Sequence, residues 1–171
     1  KGSKDFLIQL PLSNVFIYTL LDYTYIGDYW SIMNCIYYLM FYDTIIFWFH
    51  WLMHKSPYLY KHIHKKHHQT LYVSAFSTTI LDIKEEIITG LLPSFIPLFF
   101  IRLNYISWGI LNLLVFFHGL LIHSTIKLPY ERLLLGSKSH SIHHIAKNTN
   151  FGLIFPCWDM LLGTQNTLIQ R

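Results

Sequence analysis

Residues 31–53 read SIMNCIYYLMFYDTIIFWFHWLM, a run of 23 residues whose only formal charge, leaving aside His50, is Asp43. A helix needs about 20 apolar residues to cross a bilayer. This stretch therefore predicts a transmembrane helix and sets the class: an all-α, membrane-embedded chain. The run stops at Lys55-Ser56-Pro57, a cation followed by a helix breaker. Further along, residues 87–101 and 105–123 are two more apolar runs, joined by Arg102-Leu103-Asn104; the first is short and holds Pro93 and Pro97. They predict a helical hairpin that crosses and returns, with both ends on the histidine-rich side. Residues 6–21 are apolar but broken by Pro11, and read as a short helix or an interfacial segment. The stretch 151–162 is apolar and carries Pro156, Trp158 and Asp159, which suits the membrane interface.

Composition supports lipid as part of the solvent. Hydrophobic residues make up 53% and charged residues 13% of the 171-residue chain, and mean hydropathy is +0.34. An ordinary soluble domain is about 25% charged. The length fits one domain, residues 1–171. The net charge of +4 is modest, and no basic tract interleaves with aromatics, so nucleic acid is not an expected partner. Lys61, Lys65, Lys66 and Lys138 gather near the histidine runs. That asymmetry predicts that the histidines lie on the cytosolic face, beside anionic headgroups. The two cysteines, Cys35 and Cys157, form no disulfide framework. The chain opens on Lys1 rather than Met, so it reads as a piece of a longer protein whose N-terminus lies upstream.

Histidines carry the chemistry. All eleven fall between positions 50 and 144. His50 and His54 are four apart, one turn along the predicted helix. His64, His67 and His68 form H-x-x-H-H; His140, His143 and His144 repeat it; each set is expected on one helix face. His118 and His123 lie at the end of the last apolar run, five apart, about 140° around an ideal helix. His62 is expected to be a hydrogen-bonded core residue. Asp43, seven residues before His50, falls on its stripe and is a candidate to accept the second ring N–H of a ligand histidine.

Clustered imidazoles suit zinc, copper, iron or nickel. Eight to ten are too many for one ion, which takes about four protein ligands in a closed site, so two metals are expected. Zinc would imply hydrolysis; iron would imply dioxygen activation. Inert C–H bonds in a lipid environment favour iron. The alternatives are a di-zinc membrane hydrolase, although the H-E-x-x-H arrangement is absent, and a non-enzymatic bis-histidine haem or metal-binding membrane protein.

Over roughly residues 40–164 the chain resembles the fatty acid hydroxylase and sterol desaturase superfamily. The segment LYKHIHKKHH (59–68) is similar to that family's second histidine box, GSKSHSIHH (136–144) to its third, and Asn150-Phe151-Gly152 with Trp158-Asp159 and Gly163-Thr164 to its closing pattern. Only nine residues separate His54 from His64, fewer than in the related membrane acyl desaturases. The resemblance implies a helical membrane fold with a cytosolic cap over a di-metal site. It implies two iron ions (zinc as a possible occupant on isolation) held by His50, His54, His64, His67, His68, His118, His123, His140, His143 and His144. Asp43, Glu85, Asn150 and Asp159 become candidates to support those ligands. Dioxygen as co-substrate, a lipid substrate, an endoplasmic-reticulum-like membrane, and electrons from a b-type cytochrome or an NAD(P)H-dependent reductase are implied too. The second and third boxes look closer to sterol 4-methyl oxidases than to sterol 5-desaturases. Trp51, where an Arg often follows the first histidine, and Asp82, where a histidine often stands, depart from the family pattern.

Overall fold

The computed structural model describes residues 26–27, 30–69, 82–126 and 133–166; the predicted segment 6–21 lies outside them. Helix α1 spans Ile32–Lys55. Ser31 caps it, its side chain accepting from the Asn34 N–H at 3.3 Å, and Ser56 ends it just before Pro57, where the sequence placed the stop. At about 1.5 Å per residue its 24 residues cover roughly 36 Å, enough for the hydrocarbon core.

After the short helix α2, Pro57–Leu59, the backbone widens into a π-helical turn, Tyr60–His64, and then tightens into a 3₁₀ turn, His67–Gln69. Helix α3, Ile83–Glu86, starts on Asp82, whose side chain accepts from the Lys84 N–H. It runs on through a π-helical turn, Ile87–Leu91, helix α4, Leu92–Phe95, and a 3₁₀ turn, Ile96–Phe99. Pro93 and Pro97 each remove a backbone donor, and the changes of pitch fall around them. Leu103–Asn104 (β2) pairs in parallel with Ile26–Gly27 (β1). Asn104 then caps helix α5, Tyr105–Ile122, accepting from the Ser107 N–H at 2.6 Å. This is the predicted hairpin. Both its ends reach the histidines: Glu85 meets His64, and His123 meets His67 and His140. Helix α6, Ser137–Ala146, and helix α7, Cys157–Leu161, complete the cap over them.

Tyr38, Tyr42 and Ile46 of α1 pack with Phe95, Leu98, Leu103, Leu111, Val115 and Ile154 in one core. Three polar side chains inside the bundle are paired. The Tyr38 hydroxyl donates to the Ser94 carbonyl at 3.0 Å and accepts from Asn112, and Trp108 donates to the same carbonyl. The outward faces are apolar as well: Met40 is 55% exposed and Phe117 52%. A helix that is apolar on every side belongs in lipid or in a protein core. These two are open on one side, and both are long and apolar enough to cross a membrane.

Candidate metal centre

The last two turns of α1 bring His50 and His54 together, ring centroids 5.0 Å apart. The π-helical turn aims His64 at both of them, the 3₁₀ turn adds His68, and α6 adds His143. Each of these five offers a ring nitrogen within 4.8 Å of the others. A second group, His67, His123, His140 and His144, meets the same condition. The two groups touch, since the His68 and His144 rings lie 4.6 Å apart.

Each H-x-x-H-H motif is therefore split. His64 and His68 serve the first cluster while His67 serves the second; His140 and His144 serve the second while His143 serves the first. Residues at i+3 and i+4 diverge by about 100° around a helix axis, enough to aim at two centres. The expectation of a single shared face gives way to this partition. His118 joins neither cluster: its Nε2 donates to the Leu153 carbonyl at 3.0 Å. His62 is exposed and its ring lies tilted against that of Tyr58 instead of entering the core.

The nitrogen geometry fits bound cations. A metal with bonds of about 2.1 Å to imidazole holds neighbouring nitrogens roughly 3.0–3.4 Å apart at coordination angles of about 90–109°. In the first cluster the Nε2 pairs His50–His64, His54–His68, His64–His68 and His68–His143 lie at 3.1, 3.1, 3.0 and 3.2 Å. In the second, His67–His123, His123–His140 and His140–His144 lie at 3.4, 2.8 and 3.0 Å. Hydrogen bonds between neutral rings account for only some of these contacts, since each Nε2 carries at most one proton and that of His68 has three close neighbours. His50 donates from Nδ1 to the Phe151 carbonyl, His143 to that of Thr149 and His123 to that of Gly119, each at 2.8 Å. A carbonyl only accepts, so Nε2 of each neutral ring bears a lone pair. Converging lone pairs at this range repel unless a cation lies among them.

Electrostatics point the same way. Burial first, then the neighbouring imidazoles, hold His64, His67, His140 and His143 well below the usual histidine range. His68 falls to about 3 and His144 to about 4 for the same reasons. The rings are thus neutral at pH 7, the form that binds metal. Burial, reinforced by Asp82 and Glu86, pushes the Glu85 carboxyl up to about 9, yet its Oε1 sits 2.6 Å from Nδ1 of His64. The protonated carboxyl fits that distance by donating to Nδ1; a dication held by the ring's other nitrogen would favour the carboxylate, accepting from Nδ1–H.

The other candidate residues support the site through the backbone. Asp43 contacts no histidine ring: its oxygens accept from the Ile154 and Phe155 N–H groups at 2.7 and 3.3 Å, because the Phe151 carbonyl already occupies Nδ1 of His50. Asp159 accepts from the Phe151 and Gly152 N–H groups at 2.9 and 2.8 Å and from the Thr164 hydroxyl. Asn150, with φ of 55°, donates to the carbonyls of Ser139 and Asn166. Sequence reasoning missed the carbonyls of Thr149, Phe151 and Gly119 that orient the His143, His50 and His123 rings, which side-chain identity does not encode. It also missed Tyr60, whose ring lies 5.5 Å from His54 and 5.9 Å from His68; its spacing of four and eight from His64 and His68 was the available signal.

Two adjacent all-histidine clusters between apolar helices narrow the choice of family, and the fatty acid hydroxylase family model matches residues 35–164. The chain belongs to the fatty acid hydroxylase family. It is 28% identical over 138 residues to a Delta(7)-sterol 5(6)-desaturase of Leptosphaeria maculans, covering 81% of this chain and 38% of that protein. It is 30% identical over 169 residues to lathosterol oxidase of Rattus norvegicus, covering 92% and 56%. It is 32% identical over 143 residues to cholesterol 25-hydroxylase of Homo sapiens, covering 75% and 50%. This fatty acid hydroxylase family chain spans well under two thirds of each of these three relatives. No solved structure matches it.

Proposed function

We propose that this chain is the histidine-bearing part, a single domain over residues 1–171, of a membrane oxidoreductase that hydroxylates or desaturates a lipid of the sterol class. The observation that carries the proposal is the pair of touching histidine clusters at the ends of two apolar helices. The first metal would be held by His50, His54, His64, His68 and His143, the second by His67, His123, His140 and His144. Iron is the favoured metal because it supplies dioxygen activation and the electron transfers that an unreactive C–H bond demands. The overall balance for hydroxylation consumes one dioxygen, two electrons and two protons and releases one water. The electrons would come from a b-type cytochrome or an NAD(P)H-dependent reductase.

The chain's own groups do the rest. Glu85 and the carbonyls of Thr149, Phe151 and Gly119 hold the ligand rings in one tautomer. A lipid lying along α1 and α5 reaches the clusters without crossing water, because both helices end there. The names of the relatives support the sterol class. Lysines 61, 65 and 66 beside the second box support an orientation with the clusters on the cytosolic side of an endoplasmic-reticulum-like membrane. A bis-histidine haem finds no room here, since the rings pack against one another at 4–6 Å between centroids. Among the described residues neither cluster contains a carboxylate to serve as the base of a di-zinc hydrolase, and Glu85 faces a ring nitrogen.

The test is elemental analysis of the detergent-purified protein after expression with added iron. Two irons per chain, lost in the His67→Ala/His143→Ala double variant, are expected, with sterol oxidation on addition of a reductant. Zinc that iron reconstitution does not replace with oxygen-consuming activity would move the assignment to the hydrolase. Absence of any metal would remove it.

A further inference from the structure

The strap from Thr149 to Phe155 links the carboxylates to the histidines in a regular way. Its carbonyls at alternate residues, Thr149, Phe151 and Leu153, accept from His143, His50 and His118. The N–H that shares a peptide group with each carbonyl is also engaged. The N–H of Gly152, in the peptide of the Phe151 carbonyl, donates to Asp159 Oδ2 at 2.8 Å. The N–H of Ile154, in the peptide of the Leu153 carbonyl, donates to Asp43 Oδ1 at 2.7 Å. The N–H of Asn150, in the peptide of the Thr149 carbonyl, donates to the Thr164 carbonyl.

Asp159 is 0% exposed and, among the described residues, forms no ion pair, so its charge is met only by the Phe151 and Gly152 N–H groups and the Thr164 hydroxyl. A charged acceptor on a peptide N–H strengthens that peptide's carbonyl as an acceptor, since hydrogen bonds in series polarise one another. The closeness of the contact is built in: a Cβ on Gly152 would lie 3.1 Å from Asp159 Oδ2 and 2.7 Å from the Phe155 carbonyl oxygen.

We propose that Asp159 is a positioning residue for the first metal cluster, acting on His50 through the single peptide group Phe151–Gly152. The proposal rests on the metal-binding assignment above. Metal-ligating histidines commonly donate their other ring N–H directly to a carboxylate, as His64 faces Glu85; at His50 a peptide stands between the two. Asp43 provides an internal control. It holds the same strap with the same chemistry, but its peptide leads to His118, which belongs to neither cluster.

The experiment loads the detergent-purified full chain with cobalt(II) alone, counts the bound ions, and follows the d–d absorption while a chelator strips them. For Asp159→Asn the expected result is release of one of the two ions about 10- to 100-fold faster than in wild type, with an altered band for that ion. The other ion, held by His67, His123, His140 and His144, should leave at the wild-type rate. Asp43→Asn should change neither rate by more than about threefold, and its melting temperature controls for loss of packing. Equal acceleration in both variants, or acceleration of both ions, would overturn the relay and leave a strap that acts only as a brace.

Thr164→Val keeps the test alive if Asp159→Asn does not fold. Removing that hydroxyl leaves more of the carboxylate's charge for the two N–H groups, so release should be no faster than in wild type. Faster release overturns the proposal. A wild-type chain that binds no cobalt overturns the metal assignment itself. Two ions bound with Asp159→Asn unchanged removes only the relay.

Discussion

Glu85→Gln should push the metal-free and the metal-loaded protein in opposite directions. Glu85 is 2% exposed, and burial raises its carboxyl from 4.5 to about 9. In the metal-free chain at pH 7 it keeps a proton that the unfolded chain gives up. A folded-state value above the unfolded one, in an acid, means that stability falls as pH rises from 4.5 towards 9. At pH 7 the interval is 2.5 pH units, and at 1.36 kcal/mol per unit the cost is about 3 kcal/mol. Gln copies the neutral carboxyl without titrating, so metal-free Glu85→Gln should be more stable at pH 7 by up to about 3 kcal/mol. The advantage should grow by about 1.4 kcal/mol per pH unit as pH rises and vanish below about pH 4.5. Once metal binds, His64 calls for a carboxylate at 2.6 Å, and Gln should weaken the first site by about 10- to 100-fold. The assay is a pair of thermal melts in detergent, chelated and metal-loaded, at pH 6, 7 and 8. A variant that melts lower than wild type in the chelated samples at every pH would refute the protonated carboxyl.

Three further outcomes follow from the site. His67→Ala and His143→Ala should each lose one metal, measured by elemental analysis. His67→Ala should lose its metal more fully, because it leaves three ligands where His143→Ala leaves four. His118→Ala should keep the full metal content and lose only about 1 kcal/mol of stability by thermal melt, the worth of one hydrogen bond. Acid should unfold the metal-free chain through the cluster histidines. Their folded values lie below the ordinary 6.5, at about 3 for His68 and about 4 for His144. The unfolded chain therefore takes up protons first as pH drops below 6.5, and each such ring costs about 1.4 kcal/mol per pH unit until its folded value is reached. A metal-free melting temperature that does not fall between pH 7 and 5.5 would contradict this.

Much of the architecture was legible because lipid imposes one-dimensional rules. A span must be long and apolar, so residues 31–53 announced α1, and Ser56-Pro57 announced its end. The apolar runs separated by Arg102-Leu103-Asn104 announced the hairpin that α3 to α5 form. The π-helical and 3₁₀ turns through residues 60–69 were not legible. Nothing in HIHKKHH states a pitch, and the pitch there is set by where His64 and His67 must point.

The histidine spacing by itself determined that this chain carries an imidazole-rich site able to serve two metals. Pairs at i and i+4 stay together: a helix turn joins His50 with His54 and His140 with His144, and the turns after α2 keep His64 with His68. Only the tertiary structure decided which cluster each histidine joins, since that depends on how α1, the turns after it, α5 and α6 converge. It also excluded His118, sent Asp43 to the backbone instead of a ring, and set Asp159 one peptide away from His50. Those partners are carbonyl and amide groups, which every residue has. Their roles come from position in the fold, and no sequence pattern records them.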